Sequence, residues 1–443
     1  METQTKLSKL EKILDLAKKN GASETEVIQK SYTENPVNFE NNKLKTLESN
    51  ESSGIGIRLI KNKKIGLAST TDPDAIESTI ISAIEASEYG PEATFEFSKE
   101  ELNSSDVDST VKNNFPLEEL VKRGTKAIEQ LKTFHKDTLI SGGFDLGYGE
   151  TIYLNSNGVS GKRNKTVYSS SFYVNLVRGE DFLGVYEGNS NLDNFPDEKE
   201  ITKKILEKLN YSKENITLTT KTYPVIFTPH AVSSIFVDIL IVLLNGKAIQ
   251  QGISPLADKI GEKLFDGKLS LIEDPEIGTA KTPFDDEGIK TKKKTLIQKG
   301  VVNSFYFDLS SGSRVMPQHA STGNGFKGTL STAPAPKLTS IKVESGKTSY
   351  NDLIKNIKEG VLIDQVLGAG QSNTLAGEYN VGIDLGFKIV NGEIKGRIKN
   401  CMIAGNIFEV LKNITEISHE QECVYGSSFL PWFLFDNLTV GAK

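Results

Sequence analysis

Apolar residues recur at helical spacing from the start of the chain, at Leu7, Leu10, Ile13, Leu14 and Ala17, and Asn20-Gly21 supplies a stop. The pattern then changes to strands: Glu26 to Tyr32, Gly54 to Ile60, and Lys64 to Ser69. The K-N-K-K stretch around Asn62-Lys63 predicts a hairpin turn between the last two. Asp72-Pro73 is expected to cap a second helix carrying Ile76, Ile80, Ile81 and Ile84, which ends near Tyr89-Gly90-Pro91. Residues 1–92 therefore read as an N-terminal α+β domain. Residues 93–115, rich in Ser, Glu and Asp, read as a linker.

Residues 116–220 repeat this logic as a middle α+β domain. Pro116 opens a helix with Leu120, Ala127, Ile128 and Leu131 on one face. Strands are expected at Thr138 to Tyr148, Thr151 to Leu154 and Thr166 to Val177, with a turn at Asn155-Ser-Asn-Gly158. A polar helix, Glu198 to Leu209, follows. From 221 to 443 a buried helix leads into many short strands with Gly-rich turns. The fold class is α+β, with a strand-rich C-terminal domain expected as a barrel or folded sheet.

The most apolar run, Ser233 to Gly246, reads S-S-I-F-V-D-I-L-I-V-L-L-N-G. From Ile235 to Leu244 there are only ten residues, against the ~20 needed to cross a bilayer. Thr228-Pro229 reads as an N-cap with Pro at the first helical position, and Asn245-Gly246 as the stop. About sixteen residues at ~1.5 Å each give a helix of roughly 24 Å. Apolar on nearly all sides, it is expected between layers as core. Its one carboxylate, Asp238, is expected to face Arg314 or a backbone amide, because a lone buried carboxylate is costly.

Composition narrows the classes. A chain of 443 residues is too long for one core. Its charge is −6 and no block of Lys or Arg resembles a nucleic-acid footprint. The run Lys290 to Lys294 reads as a solvated loop or edge strand. Two cysteines, Cys401 and Cys423, give no disulfide framework. The amphipathic N-terminus has no signal-peptide pattern, so a cytoplasmic location is expected.

Candidate chemistry is sparse. The four histidines, His135, His230, His319 and His419, include no pair at metal-binding helical spacing. The tract H-E-Q-E-C, His419 to Cys423, lacks a second ligand cluster and reads as an exposed loop. The letters G-N-G-F-K-G, Gly323 to Gly328, fit a dinucleotide fingerprint without its strand-then-helix setting. The stretch Phe284-Asp285-Asp286-Glu287-Gly288 places three acids in a loop. Such acids face water, bind a cation or meet basic partners, and here they are expected to cap amides or pair with Lys290 to Lys294. Residues alone take the reading to a cytoplasmic, multi-domain α+β protein.

Several stretches together resemble the TldD/PmbA family, also called TldE and once labelled modulators of DNA gyrase. They are G-I-G-I-R-L-I-K-N-K-K-I-G-L-A-S-T-T-D from Gly54, Y-L-N-S-N-G from Tyr153, S-P-L-A-D-K-I-G-E-K-L from Ser254 and F-D-D-E-G. S-T-G-N from Ser321, L-A-G-E-Y-N-V-G from Leu375, N-G-E-I, I-A-G-N and L-T-V-G from Leu438 follow in order. The resemblance implies a peptidase system of two homologous subunits. The TldD-type subunit carries H-E-x-x-x-H on a helix, with a Cys ligand near its C-terminus. Counting back from Ser254, with Gly246 and Gly252 in register, sets that motif on Val237, Asp238 and Val242. A valine has no lone pair for zinc, and C-V-Y-G-S-S-F-L-P from Cys423 looks like the PmbA/TldE branch.

The resemblance thus implies a non-catalytic subunit with no metal or cofactor of its own, beside a zinc-bearing TldD-type partner in a heterodimer. Alone, the chain is expected to self-pair as a homodimer. A peptide substrate would run in a groove lined or braced by Asp285, Asp286, Glu287 and Gly288 and by Ser321, Thr322, Gly323 and Asn324. No nucleic acid and no membrane is expected as a partner. Two alternatives stand beside this: a self-sufficient hydrolase whose metal site draws on Asp238, Asp285, Asp286, Glu287 or His319, and a binding protein acting on gyrase or nucleic acid.

Overall fold

The computed structural model describes residues 2–102, 105–106, 117–316 and 321–442. Its strands form two large sheets, of eight and twelve strands. Strands from both the first and the middle segments join the first sheet: Glu24–Glu40 runs antiparallel to Asn50–Lys61 on one side and to Leu139–Asn155 on the other. Leu139–Asn155 pairs in turn with Ser160–Arg178, which pairs with Asp181–Asn191. The hairpin at Asn62-Lys63 is present, both residues having positive φ (51° and 62°) as a tight mirror-type turn requires. The strands expected at Thr138 to Tyr148 and Thr151 to Leu154 are one continuous strand. The turn at Asn155 closes on its own side chain, whose Oδ1 accepts from the amides of Asn157 and Val159.

Helices Glu2–Lys19 and Ile76–Tyr89 cover one half of this sheet through Leu10, Ile13, Val27, Ile57, Leu59 and Ile80. Asp72 does not cap the second helix as expected. Its carboxylate accepts from the amide of Asp74 in a turn of its own, and the helix starts after Ala75 without a side-chain cap. Residues 93–102, at the head of the stretch read as a linker, are docked: Phe97 and Leu102 are buried. Helices Leu117–Lys132 and Glu198–Tyr211 cover the other half of the sheet, and Pro116 lies outside the described residues.

The C-terminal region contains a closed five-stranded barrel. Lys221–Phe227, Glu359–Leu367, Glu378–Val390, Cys401–Asn406 and Ser428–Ala442 pair in a ring that returns to its start. Period-two alternation assigns its faces. Val225, Phe227, Phe433 and Phe435 join one core, while Ile226, Trp432 and Leu434 join the core shared with helix Glu198–Tyr211. Strand exceeds helix across the chain, at 43% against 24%, and the fold is α+β.

Candidate functional site

The apolar run forms a helix from Pro229 to Leu244, as the pattern predicts. Thr228 caps it, its hydroxyl facing the amide of Ala231. Its middle turn, Ser233–Val237, is π-helical, the Asp238 amide reaching back to the Ser233 carbonyl. A π-turn widens the backbone and re-aims the side chains around it. It sends Phe236 among four barrel aromatics, with ring centroids 5.0 Å from Phe227, 5.5 Å from Phe435, 5.9 Å from Tyr379 and 6.1 Å from Phe433. Ile235, Val237, Ile239, Leu240, Leu243 and Leu244 are buried beside it.

Asp238 departs from expectation. It is exposed, and Arg314, exposed on the separate helix Leu309–Val315, is not its partner. The fully apolar faces of the helix are its other faces, so the carboxylate sits on the one strip that leaves the core. The protein beneath still desolvates it enough to raise its pKa. Where the resemblance sets metal ligands, the side chains are therefore Val237, buried at 2% exposure, Asp238, pointing outward, and half-buried Val242. These three do not fit a zinc ion: two offer only hydrocarbon, and the third is a single carboxylate. Among the described residues, no group of three or more His, Cys, Asp or Glu is arranged to hold a metal.

The N-terminal turn of the helix borders a buried ionic cluster that pattern reading missed. Lys208 lies 2.6 Å from Asp364 and is also bonded to Glu187, whose other oxygen is 3.8 Å from His230 Nε2. Burial alone would raise the Glu187 carboxyl, but Lys208 and His230 outweigh it and hold it down at about 2. Burial likewise opposes the Lys208 ammonium, and Asp364 and Glu187 raise it above its usual range. Tyr425, at positive φ (51°), sets its ring 5.8 Å from that of His230. The four acid and base positions come from four separate elements, so local spacing carries no sign of them.

The acid loop is the second feature. Asp285, Asp286 and Glu287 are 0%, 1% and 0% exposed. Their partners are not Lys290 to Lys294 but cations of the first sheet. Asp286 meets Lys30 at 2.7 Å and also Arg163. Glu287 meets Arg58 Nη1 at 2.9 Å, and Arg58 Nε lies 2.7 Å from Glu26, an ionic contact without a directed hydrogen bond. Arg58 stacks over Phe95 and Phe97, at 5.3 and 5.0 Å. Asp285 accepts from the amides of Glu287, Ile289 and Gly325, so the acids do cap amides as expected. Burial raises Asp285 against those amides, and raises Glu287 against the pull of Arg58. Asp286 ends below its usual range because Arg163 and Lys30 outweigh its burial.

Two glycines make this clasp possible. Gly288 has φ +70° and lies against the Tyr153 ring, and a Cβ at Gly325 would fall 2.1 Å from Glu287 Oε2. Ser321 to Asn324 join the same network. Thr322 receives the Phe307 amide at 2.7 Å, its hydroxyl meets Asn324 Oδ1 at 2.7 Å, and Gly323 bonds Ser321. Asn324 donates to Glu273 at 2.8 Å and accepts from Lys294. Both sets of groove candidates thus come together, with their polar groups turned inward. His319 lies outside the described residues. The H-E-Q-E-C tract is in strand Glu416–Val424 rather than a loop, and Gly325-Phe326 pairs with Ala335-Pro336 in a short ribbon.

Comparison with known proteins agrees with this architecture. The family signature described as PmbA/TldA metallopeptidase C-terminal domain matches residues 220–442, and that for domain 1 matches residues 25–87. An uncharacterized protein of Methanocaldococcus jannaschii is 26% identical over 93% of this chain and 95% of its own. Metalloprotease PmbA of Escherichia coli O157:H7 is 25% identical over 86% of this chain and 84% of its own. The crystal structure of TldE from Thermococcus kodakarensis superposes with a TM-score of 0.89 at 24% identity, covering 98% of this chain and all of that one.

Proposed function

Because the chain belongs to the PmbA/TldD metallopeptidase family, we propose that it is the non-catalytic, TldE-type subunit of a two-subunit zinc peptidase. The observation that carries this reading is the helix Pro229 to Leu244. At the positions matched to H-E-x-x-x-H it carries Val237, Asp238 and Val242, and its middle turn is filled by Phe236 and aliphatic neighbours. Zinc and the attacking water would belong to a homologous TldD-type subunit. This chain would supply the second wall of the chamber and hold an extended peptide by backbone pairing to a sheet edge. Names of relatives support pairing of this kind, since both PmbA and TldD homologues are similar to this chain. Without that subunit the chain would form a two-fold dimer of itself.

The test is reconstitution. Mixed with a TldD-type homologue that keeps H-E-x-x-x-H, the chain should co-elute with it and raise hydrolysis of an unfolded peptide well above either protein alone. Co-elution without any gain in hydrolysis, or no association at all, would remove the subunit role. Among the described residues no helix is long and apolar enough to cross a membrane. The gyrase or nucleic-acid reading has only the acidic net charge of −6 to set against it, since duplex binding calls for clustered cations on an open surface.

A further inference from the structure

That cleft lies where the first sheet meets the C-terminal domain, just outside the acid clasp, and has a volume of about 260 Å³. Six cationic side chains line it: Lys30, Arg163 and Lys165 from the sheet, and Lys281, Lys327 and Lys337 from the C-terminal domain. Asp286 is the single carboxylate among the lining residues. Its oxygens are already held by Lys30, Arg163 and the Lys327 amide, so it has little left to offer the other cations. Lys165 and Lys327 donate instead to the carbonyls of Thr279 and Thr332, at 2.7 and 2.8 Å. Six of the 52 Lys and Arg of a chain of net charge −6 thus converge on one recess.

From this arrangement we propose that the cleft binds a small ligand carrying two or more clustered oxyanionic charges, either phosphates or carboxylates. Lys ammonium groups act as point charges for such groups, and converging charges in a recess attract them more strongly than scattered ones on an open surface. Burial and neighbouring cations both act on two of these lysines. Burial first, then Arg163 and Lys337, lowers Lys165 to about 8. Burial, then Arg58, lowers Lys327 to about 8, although Glu26, Asp286 and Glu287 pull the other way. A bound polyanion would reverse both shifts. Because the walls come from two separate parts of the fold, it would also tie them together.

The shared chemistry has two sources, a free phosphate-bearing small molecule or the acidic end of a short peptide, and pyrophosphate and triglutamate probe them separately. Isothermal titration of the full chain at low salt should give saturable binding of at least one of these. K281Q/K337Q, which changes two cations at the cleft mouth and leaves the clasp alone, should weaken that binding roughly tenfold, as two Coulomb contacts of this kind imply. K132Q/K358Q, with the same charge change on exposed surface elsewhere, should leave it unchanged. An unchanged melting temperature shows that each variant is folded. Pyrophosphate alone binding assigns the small-molecule source, and triglutamate alone the peptide end. Failure of both to bind, or equal weakening by the two double variants, would overturn the proposal.

Discussion

Two short stretches invert each other. The helix Ser233 to Leu244 reads as apolar with one buried acid, while the loop Phe284 to Gly288 reads as a turn whose acids cap amides or pair with Lys290 to Lys294. In the structure the lone acid Asp238 faces out, and the three clustered acids are among the least exposed groups of the chain. The difference lies in what can be supplied to each. A helix can rotate one polar residue to its solvent strip at no cost to the rest of its face. A buried acid needs a cation brought to it, and the first sheet brings Lys30, Arg58 and Arg163. Helix burial is a local property, whereas clasp burial is a property of the whole topology.

The largest break in this comparison should come from the clasp. Arg58→Leu leaves Glu26 and Glu287 buried without their cation and should cost about 3–5 kcal/mol in denaturant unfolding. A loss below about 1 kcal/mol would mean that the acids are not held as described.

The two ionic clusters should also separate by pH. Glu187 has a folded pKa near 2, below its ordinary 4.5. It stabilises above that ordinary value, and the contribution is lost as pH falls toward 2, on the order of 3 kcal/mol in all. Burial holds the folded values of Asp285 and Glu287 above their ordinary ones. Their contribution is full below their ordinary carboxyl values and is lost as pH rises through the raised folded values. Melting curves across pH should show both slopes, with E187Q flattening the acid limb and D285N the neutral one.

A smaller effect is expected in the helix. V237H/V242H buries an imidazole without a partner at Val237 and should cost about 1–3 kcal/mol. It should restore neither tight zinc binding nor hydrolysis, because the Cys ligand of the TldD-type pattern is not supplied with the two imidazoles. Zinc affinity by competition titration checks this, and tight binding with turnover would show a ligand that the geometry does not reveal. The smallest effect belongs to Asp238→Asn, within about 0.5 kcal/mol, since the exposed carboxylate has no ion pair.

Much of the fold is legible along the chain. The hairpin at Asn62-Lys63, the turn at Asn155 and the Thr228 cap follow from local turn chemistry, while the strand-rich C-terminal domain reads as a barrel or folded sheet and its closure rests on pairing between strands far apart in the chain. The helix cap assigned to Asp72 fails because the same side chain serves an adjacent turn equally well. The site is less legible. Lys30 and Asp286 are 256 positions apart, and Arg58 and Glu287 are 229 apart. The one local sign is Arg58 itself, a lone cation in the apolar strand G-I-G-I-R-L-I, which has to find an acid somewhere. The basic cleft leaves no such sign, because its six cations are scattered over more than three hundred residues and meet only where the sheet and the C-terminal domain join.

Metal analysis of the purified chain, read together with its peptidase activity, bears most directly on whether Val237 and Val242 have removed catalysis from this subunit. The expected result is substoichiometric zinc and no chelator-sensitive hydrolysis until a TldD-type subunit is added. Stoichiometric zinc in the isolated chain, with peptide hydrolysis abolished by chelator, would contradict it.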